Sequence, residues 1–192
     1  MYFLSPMKWI ELLWVIFVLY WLISAFKRKR TKKRESVLQR LLYTLPPVAA
    51  YFLVARPEFR YGWLAARFVP DSPAIRWLGV AITAAGIGIA LLARWHLGSN
   101  WSGVVTLKEG HELIRTGAYR FIRHPIYTGI LIGLLGTFLE DGEVRSLLAL
   151  AMVWLSFYVK ARREESFLAQ EFGPGFTEHL RHTGMFLPKL SS

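Results

Sequence analysis

The sequence predicts an all-α integral membrane protein with about five transmembrane helices. Of the 192 residues, 54% are hydrophobic, and they gather into blocks separated by charged segments. The blocks approach the length that an α-helix needs to cross a bilayer. The formal net charge of +11, combined with such long uncharged blocks, favours anionic lipid over nucleic acid as a partner. The chain has no cysteine, which excludes disulfides and thiolate metal sites.

The first predicted span covers residues 9–26, "WIELLWVIFVLYWLISAF", and contains one acid, Glu11. The basic cluster "KRKRTKKRE", residues 27–35, follows this run instead of preceding it. That order, without a small-residue cleavage site, indicates an uncleaved anchor and not a signal peptide. By the positive-inside rule the cluster lies in the cytoplasm, so the N-terminus is expected outside.

The second predicted span covers residues 37–54, and Pro46 and Pro47 in its middle should kink or break it. Residues 55–73, with three prolines and scattered arginines, are expected to form a loop. The third span covers residues 75–92 and is rich in small side chains, which allow membrane helices to pack closely. These small residues are Gly79, Ala81, Ala85, Gly86 and Gly88.

The fourth and fifth apolar runs, residues 126–139 and 147–159, flank the acidic turn "EDGE". Both runs are short for full spans, so they are expected to form a tight hairpin, tilted in the bilayer, whose turn faces outside. By alternation, the polar stretch at residues 95–123 and the basic tail from Lys160 onward face the cytoplasm.

The stretch "GAYRFIRHPIYTG" places polar chemistry directly before the fourth run. His124 precedes a proline and is therefore expected to be extended, while Pro125 suits the first turn of a helix. A helix start carries free N–H groups and a partial positive charge, so with Arg123 beside it this place suits an anion. The alternative is that Arg123 and His124 only anchor the chain at lipid headgroups.

A second polar cluster, "VKARREESFLAQEFG", ends the fifth run. If it is helical, Lys160 and Glu164 lie four residues apart on one face. Glu164 and Glu165 then lie near the membrane surface, where a carboxylate can meet a ligand cation. An ordinary surface ion pair is the alternative.

Together these clusters resemble the isoprenylcysteine carboxyl methyltransferase family of integral-membrane enzymes, a group related to phospholipid N-methyltransferases. The matching text is "GHELIRTGAYRFIRHPIYTG", then "RREESFLAQEFGPGF" and "TGMFLP", and the upstream "LGSNWSG" is similar to bacterial members. The resemblance implies a single membrane domain over residues 1–192. Residues 1–95 would form three N-terminal transmembrane helices, and residues 96–192 a catalytic region with a helical hairpin and a cytoplasmic, cofactor-binding tail.

The resemblance also implies that the cofactor is S-adenosylmethionine, with S-adenosylhomocysteine as the product. The residues expected to bind it, with Arg123 added from the helix-start argument, are His111, Glu112, Leu113, Ile114, Tyr119, Arg123, His124, Pro125, Ile126, Tyr127 and Glu164. Helix-start groups with Arg123 or His124 would take its carboxylate and Glu164 its ammonium. Tyr119 or Tyr127 would face the sulfonium, and the apolar Leu113 and Ile114 would flank the adenine.

The expected catalytic residues are Lys160, Arg163 and Glu165. The family has an arginine four residues before its first motif acid, and this chain has Lys160 there. Lysine keeps the charge but not the bidentate fork, so Arg162 or Arg163 is expected to substitute.

A second departure lies in the tail, where relatives have two tyrosines and this chain has Phe176 and His179. His179 and His182 are expected to be a surface pair, and no metal site is predicted.

The acceptor is expected to be lipophilic or lipidated and to enter sideways from the bilayer, and the membrane is expected to be a prokaryotic inner membrane. A carboxylate acceptor needs no general base, whereas an amine needs one, for which His124 and Glu165 are the choices. Carboxyl methylation of an isoprenylcysteine-like substrate is preferred over phospholipid N-methylation. An NADPH-binding sterol reductase and a non-enzymatic membrane scaffold are the further alternatives.

Overall fold

The structure is a computed structural model that describes residues 4–24, 31–101, 103–108, 110 and 112–189. Its helices and strands are α1 (Pro6–Ser24), β1 (Thr31–Arg34), α2 (Val37–Ala55), α3 (Pro73–Leu97), β2 (Thr106–Lys108), α4 (Pro125–Asp141), α5 (Val144–Phe172) and α6 (Pro174–His182). Short 3₁₀ helices lie at Pro57–Phe59, Gly62–Ala65, Gly98–Asn100 and Gly117–Arg120.

Four helical segments within these residues are long and apolar enough to cross a membrane: Pro6–Ser24, Val37–Ala55, Pro73–Asn100 and Val144–Phe172. The outer faces of α1 and α2 carry many exposed apolar side chains. The predicted class, an all-α integral membrane protein, is therefore confirmed, and the described part of each predicted apolar run falls within a helix. The number of crossings and the sidedness of the termini stay predictions.

The hairpin of α4 and α5 is asymmetric. Helix α4 has 17 residues, about 25 Å at ~1.5 Å per residue, which is less than the roughly 30 Å of a bilayer core. Helix α5 has 29 residues and is about 43 Å long by the same measure. The predicted fifth span at residues 147–159 was too short, because the helix continues as polar turns that carry Glu164 and Glu165 beyond the apolar part.

Glycines allow α3 and α4 to pack backbone against backbone. A Cβ added at Gly79 would lie 2.7 Å from the carbonyl oxygen of Gly136, and one added at Gly86 would lie 2.6 Å from that of Gly129. Either side chain would force the helices apart. The close packing predicted for Gly79 and Gly86 is thus confirmed, while Gly88 faces open space.

Polar side chains also tie α1 and α3 to α4. The Thr83 hydroxyl donates to the carbonyl oxygen of Gly133 at 3.1 Å. The indole N–H of Trp14 donates to the hydroxyl of Thr137 at 3.0 Å. Each of these polar groups is thereby satisfied inside an apolar bundle, which holds α4 in one position.

Pro46 and Pro47 do not break the second span, since α2 runs without interruption through both prolines, and a kink at this place stays a prediction. A proline at position 47 removes the N–H that would bond the carbonyl oxygen of Tyr43. The hydroxyl of Ser156, on α5, donates to that oxygen at 2.5 Å. A neighbouring helix therefore supplies the missing donor, and α2 stays continuous.

A two-stranded antiparallel sheet of β1 and β2 was not predicted. Strand β1 lies within the basic cluster, whose residues 27–30 are outside the described part of the chain. The backbone N–H of Glu35 donates to the carbonyl oxygen of Val105 at 3.4 Å, which joins the start of α2 to the polar stretch before α4. Side-chain alternation in strands this short is too brief to be seen in a sequence.

The acidic turn between α4 and α5 is a buried ion cluster and not simply a solvated turn. The carboxylate of Glu143, whose residue is 2% exposed, contacts the guanidinium groups of Arg60 and Arg145 at 2.6 Å each. Arg67 donates to the carbonyl oxygen of Asp141 at 2.9 Å. The segment predicted as a loop is thereby fixed against the far end of the hairpin.

We predict that Gly86→Ala lowers the thermal unfolding temperature in detergent by several degrees, because its Cβ would collide with the backbone of α4. Gly88→Ala is the matched control, since its Cβ would meet nothing within 4 Å. The control should be neutral or slightly stabilising, because alanine favours helix over glycine. Equal shifts for both variants would contradict the packing described.

Candidate active site

A cavity opens at the end of the bundle where α3 and α5 finish and α4 begins. Its empty volume is about 920 Å³, including the open mouth. The predicted residues on its wall are Glu112, Leu113, Ile114, Tyr119, Arg123, His124, Ile126, Tyr127 and Glu164. The remaining wall residues come from the end of α3 and the turn that follows it, from residues 104–106, from α5 and from α6. The two motif clusters, separated by a hairpin in the sequence, thus meet in space.

Glu164 is the polar centre of this cavity. The hydroxyl of Tyr127 donates to its Oε1 at 2.7 Å, and Nδ1 of His124 lies 3.4 Å from its Oε2. The rings of His124 and Tyr127 stack with centroids 5.4 Å apart, so both approach the carboxylate from α4. Residues 160–172 are helical, as the sequence predicted. This part of α5 carries Glu164 to the start of α4.

Glu165 lies next to Glu164 but faces the protein interior, where it is 5% exposed. Its Oε1 accepts a hydrogen bond from Nε of Arg123 at 2.7 Å and lies 3.2 Å from Nε2 of His124. Arg123 also donates to the carbonyl oxygen of Thr183. A buried carboxylate with two cationic partners holds α5, the α4 start and the tail together.

His124 lies between the two glutamates and is the group most affected by them. Burial alone would lower the pKa of its imidazole, but the carboxylates of Glu164 and Glu165 outweigh burial and raise it. His124 is therefore held in its protonated form, with one ring nitrogen directed at each acid. Its role in this structure is to bridge two carboxylates.

The C-terminal tail closes the cavity behind the Arg-His-Pro motif. The backbone N–H groups of Arg123 and His124 donate to the carbonyl oxygens of Gly184 and Met185 at 2.9 and 3.1 Å. The hydroxyl of Thr128 donates to the carbonyl oxygen of Phe186 at 2.7 Å. The segment that contains the motif "TGMFLP" therefore has a structural role, because it pairs with the chain that leads into α4.

The three residues predicted to be catalytic lie off the cavity wall. Lys160 Nζ donates to the carbonyl oxygen of Gly103 at 3.0 Å and lies 5.3 Å from the ring centroid of Tyr127. It therefore lies beside the polar centre. Arg163 is half-buried on α5, and Glu165 is occupied by its ion pairs. Pro125 is buried at the first turn of α4, and His111 is outside the described residues.

The interpretation of His179 as part of a surface pair was wrong. His179 is buried and lines the cavity together with Phe176, which is 1% exposed. Burial, followed by the charges of Arg115 and Arg123, lowers the pKa of His179, so it is neutral. Only His182 is exposed, where it contacts Glu178 at 2.7 Å.

Several wall residues were missed by sequence reasoning, among them Leu97, Asn100, Trp101, Val105, Thr106 and Phe167. Asn100 and Trp101 lie in the "LGSNWSG" text and were available from the resemblance. The spacing of Phe176 and His179, three residues apart, indicates one helix face and was the available signal for α6.

Comparison with solved structures identifies the fold of this chain. A solved structure of the eukaryotic intramembrane Ras methyltransferase, isoprenylcysteine carboxyl methyltransferase, aligns with a TM-score of 0.52 at 23% identity. The alignment covers 76% of this chain and 52% of that chain, so it shows a shared fold.

The family follows from the sequence. A family model described as phospholipid methyltransferase matches residues 74–175, more than half of the chain. The chain therefore belongs to the phospholipid methyltransferase family, and the expected resemblance to its isoprenylcysteine methyltransferases is confirmed. It is 28% identical to a probable protein-S-isoprenylcysteine O-methyltransferase of Oryza sativa subsp. indica, covering 86% of this chain and 87% of that protein.

One further relative is named for metal resistance and not for methyl transfer. The cobalt-zinc-cadmium resistance protein CzcN of Cupriavidus metallidurans is 33% identical over 124 residues, which cover 60% of this chain. The match spans only 55% of CzcN. In the part of this chain that the structure describes, no group of three or more His, Cys, Asp or Glu residues is placed to hold a metal ion.

We predict that the fold becomes less stable as the pH rises, because His124 then loses the proton that pairs it with Glu164 and Glu165. The pKa of His124 is raised in the folded protein. The stability that its ion pairs contribute is therefore complete below about pH 6.5, the pKa of histidine in the unfolded chain, and is lost as pH rises through the folded pKa. Thermal unfolding in detergent across this range should show the loss, and His124→Gln should remove this component.

His182→Gln is the matched control, because an exposed histidine paired with one glutamate contributes at most about 1 kcal/mol. An unchanged pH profile in His124→Gln, with wild-type stability, would disprove the bridging role.

Proposed function

We propose that this chain transfers a methyl group from S-adenosylmethionine to a lipophilic acceptor at the membrane surface. The preferred reaction is carboxyl O-methylation of an isoprenylcysteine-like substrate. The observation that carries the proposal is the convergence of Glu164, His124 and Tyr127 in a cavity at the end of a membrane bundle. Family membership supports the reaction class, and the names of several relatives support the acceptor class.

The residues of the cavity fit the proposed cofactor. S-adenosylmethionine carries an ammonium, a carboxylate and an adenine, and when bound it supplies a methyl group on a positively charged sulfonium. Glu164 would accept hydrogen bonds from the ammonium, and the Tyr127 and Tyr119 rings would face the sulfonium. Leu113 and Ile114 would flank the adenine.

The cofactor carboxylate is assigned to the N-terminal turn of α4. Arg123 and His124 already neutralise Glu165 and Glu164, so they add little free positive charge. The first helical N–H groups, beginning at Ile126 on the wall, point out of the helix end and suit an anion.

The state of the two candidate bases favours a carboxylate acceptor over an amine. His124 is held protonated between two acids, and Glu165 is paired with Arg123, so neither is ready to take a proton. A carboxylate is already ionised at neutral pH and needs no base. Lys160, beside Tyr127, would orient it, and the chain would align donor and acceptor and exclude water.

The second candidate is methylation of a phospholipid amine, which the description of the family model favours. Both candidates place the acceptor in the bilayer and the cofactor in the water phase. We propose a prokaryotic inner membrane, with the N-terminus outside and the cavity and C-terminus in the cytoplasm. The basic cluster at residues 27–35 supports this orientation.

We predict that Glu164→Gln weakens S-adenosylhomocysteine binding roughly 10- to 100-fold, as expected for loss of a charge-assisted bond worth about 1.5–3 kcal/mol. Isothermal titration calorimetry in detergent measures it. Glu171→Gln, an exposed glutamate two turns further along α5, is the control and should bind as the wild type does. Unchanged affinity in Glu164→Gln would refute the assignment.

The reaction itself is tested with purified protein, labelled S-adenosylmethionine, a farnesylated cysteine analogue and a total lipid extract. Label in a base-labile ester of the cysteine analogue supports carboxyl methylation. Label in a lipid headgroup on thin-layer analysis supports the second candidate. No cofactor binding at all would leave a non-enzymatic membrane protein.

A further inference from the structure

One polar side chain on the cavity wall is not used by the proposed reaction. His179, on α6, lines the cavity and is 8% exposed, and Phe176 lies one turn before it on the same face of the helix. The imidazole ring of His179 has no hydrogen-bond partner among the described residues. A buried polar ring that borders a cavity without a protein partner indicates a ligand that completes it.

The surroundings of His179 keep its ring uncharged. Burial, followed by the guanidinium groups of Arg115 and Arg123, lowers its pKa. A neutral imidazole carries one N–H donor and one acceptor nitrogen, whereas the two arginines can only donate. His179 therefore offers this part of the wall a side-chain acceptor that carries no charge.

Helix α6 packs against the segment that is expected to flank the adenine. Nη2 of Arg115 donates to the carbonyl oxygen of Gly175, in the first turn of α6, at 2.5 Å. Leu113 and Ile114, directly before Arg115, line the same cavity as His179. The tail helix thus adds a polar group to the apolar part of the wall.

We propose that His179 binds the adenine of the cofactor, with one ring nitrogen accepting a hydrogen bond from the exocyclic amino group of the base. The inference rests on the function proposed above and adds a residue of α6 that recognises the base. Phe176 and Leu113 supply apolar surface for its flat faces. An uncharged acceptor suits an uncharged amino group, while the charged end of the cofactor is assigned to Glu164 and the start of α4.

The assignment makes cofactor binding sensitive to acid. Protonation of His179 would remove the acceptor nitrogen and place a third positive charge beside Arg115 and Arg123. Because the pKa of His179 is lowered, this loss occurs below about pH 6.5. The change at His124 runs the other way, since its pKa is raised and its proton leaves as the pH rises.

Other charged groups near His179 do not reproduce this effect. The exposed face of α6 has charged side chains that pair with one another, namely Glu178, Arg181 and His182. The remaining charged residues on the cavity wall are Glu112, His124 and Glu164. Replacing His179 alone therefore tests which group is responsible.

The first test compares S-adenosylhomocysteine with its 6-deamino analogue, in which hydrogen replaces the amino group of the base. Calorimetry on the full chain in detergent, at about pH 7.5, should show roughly 5-fold weaker binding of the analogue by the wild type. His179→Phe should bind the two ligands about equally. His179→Gln keeps an acceptor oxygen and should retain the preference.

The 2′-deoxy analogue of S-adenosylhomocysteine is the ligand control. Its affinity relative to S-adenosylhomocysteine should be the same in the wild type and in His179→Phe. If His179→Phe changes this ratio and leaves the effect of the base amino group intact, the ring binds the ribose and the adenine assignment is overturned.

The second test follows S-adenosylhomocysteine binding from about pH 7.5 down to about pH 5. Wild-type affinity should fall on the acid side and approach a 10-fold loss per pH unit below the pKa of His179. His179→Gln does not titrate there and should lose this component. His182→Gln is the matched control, because His182 is exposed on the same helix and should keep the wild-type profile.

Either of two results overturns the inference: an unchanged preference for the base amino group in His179→Phe, or an unchanged acid profile in His179→Gln. An equal loss of affinity for every ligand in both variants also overturns it, since that indicates a purely structural role. Thermal unfolding of each variant without ligand, at each pH, separates loss of the fold from loss of binding.

Failure of the proposed function gives a different result. If the folded wild type binds none of these ligands, the proposed function and this inference fall together. If the wild type binds S-adenosylhomocysteine and Glu164→Gln weakens that binding, but the His179 variants keep the wild-type preference and profile, only this inference is wrong.

Discussion

The pairing of two adjacent glutamates with cations at the end of a membrane helix is the constraint on which this structure depends. Glu164 and Glu165 project from the polar end of α5, and neither can leave water without cations to meet it. His124 contacts both at 3.4 and 3.2 Å, and Arg123 meets Glu165 at 2.7 Å. These contacts fix the α5 end against the start of α4, and they fix the tail through the carbonyl oxygen of Thr183.

That arrangement requires α4 to be placed accurately, and the glycine contact with α3 provides this. Backbones that touch at Gly79, Gly86, Gly129 and Gly136 leave few alternative positions for a 17-residue helix. Hydrogen bonds from Thr83 and Trp14 reinforce it without help from the hydrophobic effect, which is weak between helices in lipid. The rigid end of the bundle carries the polar groups, and the far end is held by the Glu143 ion cluster.

The same geometry gives the acidic residues at this end of the helix bundle different roles. Glu165 forms structural ion pairs, Glu164 lines the cavity, and Glu35 is buried where it accepts a hydrogen bond from the backbone N–H of Val105. His124, which a sequence motif presents as a base, is held protonated by its two neighbours. The chemistry this site favours is therefore recognition and alignment of charged groups, more than proton transfer.

The sequence by itself determined the helical membrane class, the apolar runs and the two motif clusters, because apolar length and local spacing are properties of contiguous residues. It also identified Gly79 and Gly86 as packing residues, and it selected Glu164 and eight further residues that line the cavity. Only the tertiary structure decided that Ser156 keeps α2 continuous, that His179 is buried and that Glu35 is buried against Val105. These facts depend on partners far away in the chain, and burial and pairing are set by which segments meet, which no local pattern records.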